Sequence, residues 1–137
     1  FRTTVEDPNN NPWMFINEID NIQYRFTPNS STTTNICHFQ YFRQSGAFVL
    51  YANDGVSWAG VAFAGETTNL QNSQCSIARN TVTATMMYDT YLELGETVVF
   101  NAAFSSPTAK IIQARGVDTN GATIGWATTQ LSWVVQP

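Results

Sequence analysis

At 137 residues with a formal net charge of −4, the chain is long enough to bury one core and too acidic to coat a phosphate backbone. Its single lysine, Lys110, and five scattered arginines form no basic stripe, which disfavours nucleic acid as a partner. Hydrophobic residues make up 43% of the chain, which excludes a disordered tail, and no apolar run approaches the roughly 18 residues a membrane helix needs.

The apolar period is two rather than 3.6, so strands are expected throughout a single domain over residues 1–137. Phe1, Arg2, Thr3, Thr4 and Val5 are strand-like and form the candidate assembly segment. A terminal strand of this kind can pair with the exposed sheet edge of a neighbouring copy. Residues 7–13 are the clearest non-strand stretch and place Trp13 in a loop. Ile22, Tyr24 and Phe26 then alternate with Gln23, Arg25 and Thr27. A polar loop over 28–35 carries the N-glycosylation pattern Asn29-Ser30-Ser31. In the strand over 36–43, Cys37, Phe39 and Tyr41 fall on one face and His38 and Gln40 on the other. Gln44-Ser45-Gly46 turns the chain into a hairpin partner over 48–52. Asn53-Asp54-Gly55 ends that strand, because Asp-Gly favours positive backbone angles.

A short strand over 59–64 precedes a second cysteine strand over 74–78, where Cys75 and Ile77 share a face. Residues 81–88 alternate Val82, Ala84, Met86 and Tyr88 with Thr81, Thr83 and Thr85, a threonine face of ordinary β propensity. Tyr91 follows in a predicted loop. Residues 96–104 are expected to bury Val98, Phe100, Ala102 and Phe104 on one face. The strand over 110–117 runs into the turn Asp118-Thr119-Asn120-Gly121, and 128–135 closes the chain with Leu131, Trp133 and Val135 on one face. About nine short strands at this spacing predict an all-β fold, a two-sheet antiparallel β-sandwich.

Both thiols point the way the apolar residues point, which reads as one disulfide, Cys37 to Cys75, clamping an exported sandwich. Two free thiols in a cytosolic protein are the alternative. The spacing is not C-x-x-C, and His38 alone cannot complete a usual zinc set with them. A chain that begins at Phe1 with no signal peptide reads as a processed mature form or an excised domain. Only 12% of residues are charged, about half the usual share; Thr, Ser, Asn and Gln fill the gap, as on many extracellular β-proteins.

The stretch Tyr51-Ala52-Asn53-Asp54-Gly55-Val56-Ser57-Trp58-Ala59-Gly60, followed by Leu70-Gln71-Asn72-Ser73-Gln74-Cys75, resembles a module repeated in secreted multidomain bacterial proteins, notably of acidobacteria. Those modules carry a segment N-D-x-G-x-x-W-x-G, then L-Q-N-S-Q-C, and close with G-W-x-x-x-G-x-W-x-V. Gly125-Trp126 and Trp133-Val134-Val135 look like that ending. The resemblance covers roughly residues 36–135, with one residue fewer before Trp58 and one more between the closing tryptophans. It implies an immunoglobulin-like sandwich with the same disulfide and export from the cell, and it implies no activity.

Catalytic and metal chemistry find little footing. His38 is the only histidine; alternation turns it away from the cysteine face, toward solvent, and no G-x-S-x-G elbow accompanies it. Glu6/Asp7, Glu18/Asp20 and Glu93/Glu96 sit at expected strand ends and turns, as solvated acids do, rather than as a glycosidase pair. Asp7, Asp20 and Asp118 are loose calcium candidates, but Asp118-Thr119-Asn120-Gly121 lacks the later glutamate of an EF-hand loop. No catalytic residue, metal or cofactor is therefore expected. Trp58, Trp126 and Trp133 alternate with core residues and are expected to pack inside, whereas Trp13 and Tyr91 are the candidates for stacking a sugar ring. Phe42 and Met87 fall among outward polar positions and hint at an apolar contact surface. The expectation is a non-catalytic extracellular structural or adhesive module that packs against copies of itself or other modules by strand edges. A polysaccharide-binding module is the alternative.

Overall fold

The computed structural model describes residues 2–6, 19–63, 66–87, 91–105, 108–123 and 125–133. Within them the fold is all-β. In chain order the strands are β1 (Arg2–Glu6), β2 (Ile19–Thr27), β3 (Cys37–Phe42), β4 (Ala47–Tyr51), β5 (Trp58–Ala62) and β6 (Leu70–Gln71). They continue as β7 (Cys75–Ile77), β8 (Thr83–Met87), β9 (Tyr91–Gly95), β10 (Val98–Phe100), β11 (Lys110–Asp118) and β12 (Ala127–Trp133). Every strand pairing is antiparallel. A six-stranded sheet runs β12-β11-β2-β3-β4-β5, and two three-stranded sheets run β1-β9-β8 and β10-β7-β6.

The alternation read in β2, β3 and β4 is the alternation observed. Ile22, Tyr24 and Phe26, Cys37 and Phe39, and Phe48 and Leu50 all enter one buried cluster. The opposing elements supply Leu70, Cys75, Ile77, Leu94 and Phe104 to the same cluster, so the core lies between the layers of a sandwich. Phe39 is at its centre, with the rings of Tyr24, Phe26 and Phe48 at 5.2, 5.8 and 5.3 Å. The Cys37–Cys75 bond is formed (S–S 2.02 Å, Cα–Cα 5.7 Å) and ties β3 of the large sheet to β7 of a small one.

Asn72 supports the bridge from the loop before it. Its side-chain Nδ2 donates to the carbonyls of Ile36 (3.2 Å) and Tyr51 (2.9 Å), and its Oδ1 accepts from the amides of Gln74 (2.8 Å) and Cys75 (3.0 Å). The amide groups that lead into both cysteine strands are thus paired rather than stranded on entering the core.

The strand expected over 96–104 is shorter than its alternation suggests. It ends at Phe100; Asn101 donates its backbone N–H to Gln74 O (2.8 Å) and its Nδ2 to Asn72 O (3.0 Å), and Ala102–Phe104 turn as a single 3-10 turn. Phe104 still reaches the core, but from that turn, while Ala102 is exposed. Tyr91 is not in a loop: it opens β9, opposite Glu6 of β1 and Met87 of β8. Glu96 is not a solvated strand-end acid either, because it is buried just after β9. β1, β6 and β9 bring the described residues to twelve strands rather than about nine.

The turns follow their chemistry. Gly46, Gly55 and Gly121 all adopt positive φ, at 66°, 71° and 82°. Asp54 Oδ1 accepts from the amides of Val56 and Ser57 at 2.9 Å each, and its other oxygen accepts from the Ser57 hydroxyl. Those bonds, the hydroxyl first, hold the Asp54 carboxyl below the ordinary carboxylate range. No helix among the described residues is long and apolar enough to cross a membrane.

Candidate functional site on the outer face of the large sheet

Because β2 sends Ile22, Tyr24 and Phe26 inward, Asn21, Gln23 and Arg25 project from the opposite side of the six-stranded sheet. The registers Arg25↔His38 and Arg25↔Gln113 carry one row across β3, β2 and β11; Gln23↔Gln40 and Gln23↔Arg115 make the next. Phe39 pairs with Leu50, which sets His38 beside Tyr51 of β4. Trp126, just ahead of β12, closes over these rows.

Polar side chains on this face hold one another. Arg25 Nε donates to Gln113 Oε1 (2.7 Å), whose Nε2 donates to Thr128 Oγ1 (2.9 Å), and Arg25 Nη2 donates to Ser30 O (2.9 Å). Arg115 Nε donates to Gln23 Oε1 (3.1 Å), and Gln23 Nε2 to Asn21 Oδ1 (3.2 Å). Tyr51 OH donates to Gln40 Oε1 (2.6 Å). The guanidinium carbons of Arg25 and Arg115 stand 4.3 and 4.8 Å from the Trp126 ring centre. His38 stacks on Tyr51 (4.0 Å, 4° between planes) and meets the Trp126 ring edgewise at 5.6 Å.

The electrostatics are unusual for an acidic chain. Arg25 and Arg115 bond only to neutral oxygens and the indole; no carboxylate among the described residues pairs with either. Burial, and then the Arg115 charge alongside, lowers the Arg25 pKa. Burial, then Arg25 and Arg115, pushes His38 from 6.5 down to about 3, so its imidazole is neutral across the physiological range. Its Nε2 has no hydrogen-bond partner among the described residues. Each cation–π contact contributes roughly 0.5–2 kcal/mol, more where water is excluded. What the arrangement can do chemically is hold negative charge beside an aromatic surface.

This face corrects three expectations. His38 turns away from the core, as alternation requires, but it is only 8% exposed, because Tyr51 and Trp126 flank it. Trp126 packs on the two arginines rather than in the core, and Trp58 lies on the outer face beside Phe42, 6.3 Å between rings. Phe42 itself is outward, as read. The disulfide residues Cys37 and Cys75 are joined, and Arg2, Thr3, Thr4 and Val5 form β1 against β9 of their own chain. Phe1, Asp7 and Trp13 lie outside the described residues. Asp20 accepts from Asn21 Nδ2 (2.9 Å), and Asp118 accepts from the amides of Asn120 (2.9 Å) and Ala122 (2.7 Å). Among the described residues no three His, Cys, Asp or Glu side chains gather as a metal would need.

The arginine–indole cluster escaped sequence reading because Arg25, Arg115 and Trp126 come from three separate stretches, with Arg25 and Gln113 far apart in the chain. One signal was present: outward positions of β2 read Asn, Gln, Arg where an ordinary solvent face also carries acids. Comparisons with protein-family models, curated proteins and solved structures return no match.

Proposed function

We propose that the chain is a non-catalytic structural or adhesive module of an exported protein, one that associates with copies of itself through sheet edges. The observation that carries this reading is β5, the edge strand of the large sheet. Trp58 and Val61 are 55% and 38% exposed on it, and Val56 and Phe63, just outside its ends, are 80% and 48% exposed. Its sequence, Trp-Ala-Gly-Val-Ala, contains no charge and no proline. Edge strands ordinarily carry Lys, Pro or a bulge against pairing with another chain; β5 shifts register on β4 between Gly60 and Trp58, yet its apolar, uncharged stretch still offers main-chain groups and side chains to a second strand. A second copy's β5, antiparallel across a two-fold axis, supplies both the main-chain partners and the same apolar side chains. Burying the exposed part of Trp58 in that contact contributes on the order of 2 kcal/mol per copy.

Two further features support the reading. β1 has β9 on one side and, among the described residues, no strand on the other, so the N-terminal segment is a second free edge. Export and an immunoglobulin-like character of the sandwich fit the Cys37–Cys75 bridge and the likeness to modules of secreted bacterial proteins. Light-scattering mass across a concentration series tests the proposal. The unmodified chain is expected to exceed monomer mass as concentration rises, and Val61→Lys, a change at a half-exposed position, to stay monomeric with its melting temperature within a few degrees. A chain that remains monomeric, or associates equally well with lysine at 61, rules β5 out.

A further inference from the structure

We propose that the outer face of the large sheet binds an anionic polysaccharide, with Arg115 and Arg25 holding its carboxylate or sulfate groups beside Trp126. The chain has six basic residues in all and a net charge of −4, yet two arginines share one indole on a face where no described carboxylate neutralises them. A second guanidinium adds like-charge repulsion that a neutral side chain would avoid, and a bound anion removes it.

The two arginines are prepared for different parts of that task. Arg25 is 7% exposed and fixed at three points, by Gln113, Ser30 and the ring. Arg115 is half-buried and, among the described residues, bonds only through its Nε, on Gln23, so its terminal Nη groups offer a fork to an oxyanion. Gln23 and Gln113 are themselves held, by Asn21 and Thr128, so the donors are positioned before a ligand arrives.

A sugar chain fits better than a peptide or a nucleic acid. From the arginines, the same row continues through His38, Tyr51 and Trp58 across β3, β4 and β5. Neighbouring strands are about 4.8 Å apart, comparable with one sugar ring, so the row offers aromatic surface and amide groups along an extended glycan. Two cations are too few to capture a phosphate backbone. The residues that decide this inference, Arg25, Arg115 and Trp126, lie on β2, on β11 and just ahead of β12, and only Trp58 at the end of the row is shared with the β5 edge.

Affinity electrophoresis with polygalacturonate, dextran sulfate, neutral dextran and polyglutamate tests it. The protein is expected to be retarded by polygalacturonate or dextran sulfate, the better of the two naming carboxylate or sulfate as the group held, and to run freely with neutral dextran. Retardation is expected to weaken as salt rises, and to fall at least tenfold in Arg115→Gln with an unchanged melting temperature. Trp126→Ala is expected to weaken it too. Should Arg115→Gln fail to fold, Arg115→Lys decides, because it keeps the charge and stem but loses the fork; a several-fold loss is expected. The proposal is overturned if neither anionic polysaccharide retards the protein, if Arg115 variants are retarded as strongly as the unmodified chain, or if polyglutamate does as well as the glycans.

Discussion

Glu96 and His38 are both buried, and their titrations pull stability in opposite directions. Burial raises the Glu96 pKa from 4.5 to about 8, so the folded state holds a proton that the unfolded state releases, and its contribution is lost as pH rises between those values. His38 falls from 6.5 to about 3, so the unfolded state gains a proton first, and stability is lost as pH drops from 6.5 toward 3. Between 4.5 and 6.5 the two slopes cancel, which predicts a stability plateau there with a decline on either side. Urea unfolding measured across pH checks this: Glu96→Gln should remove the decline above 6.5 and extend the acid limb upward to 6.5, in place of the plateau. Asn72 is a residue-scale test of another kind. Losing its four side-chain bonds beside the disulfide should cost about 2–3 kcal/mol in Asn72→Ala, read from the denaturation midpoint. The direction in which His38 leaves its strand was legible in the sequence, whereas Glu96 read as a solvated acid. Their burial was not, because it depends on neighbours that arrive from distant strands.

At the scale of elements, the turn after β4 and the disulfide set the frame. Gly55 sits at φ 71°, and a Cβ there would lie 2.0 Å from Thr33 O, so the 28–35 loop and the β4–β5 turn fit only around a glycine. Gly55→Ala should therefore cost clearly more than the roughly 1 kcal/mol of an ordinary Gly-to-Ala strain, and calorimetry should show the drop. Reducing Cys37–Cys75, with a sequence separation of 38, should remove up to about 4 kcal/mol on the chain-entropy account, measured by urea unfolding with and without reductant. Period-two alternation located β2, β3, β4 and β7, where one face is wholly apolar and slipping the register by one residue would expose it. It overran β10, because Phe104 keeps the alternating pattern while Asn101, bonded to Gln74 and Asn72, turns the backbone into a 3-10 turn. It missed β6, whose two residues are too few to show any period.

At the scale of the molecule, function depends on which strands become neighbours and which are left at the edge. Arg25 meets Gln113 and Arg115 meets Gln23 only because β11 lies against β2, a pairing of distant segments that no local pattern encodes. The same holds for β5, whose composition reads as an ordinary short strand until its place at the end of the sheet exposes Trp58 and Val61. Self-association through that edge is the central claim, and backbone amide hydrogen exchange at low and high protein concentration tests it most directly. Alternate amides of an edge strand point away from its neighbour, so those of Trp58–Ala62 that do not bond to β4 are open to a second strand. Concentration should slow their exchange, in step with the rise in mass, and Val61→Lys should abolish the effect. Mass that rises while those amides stay unprotected, or protection that appears at Arg2–Glu6 instead, would contradict it.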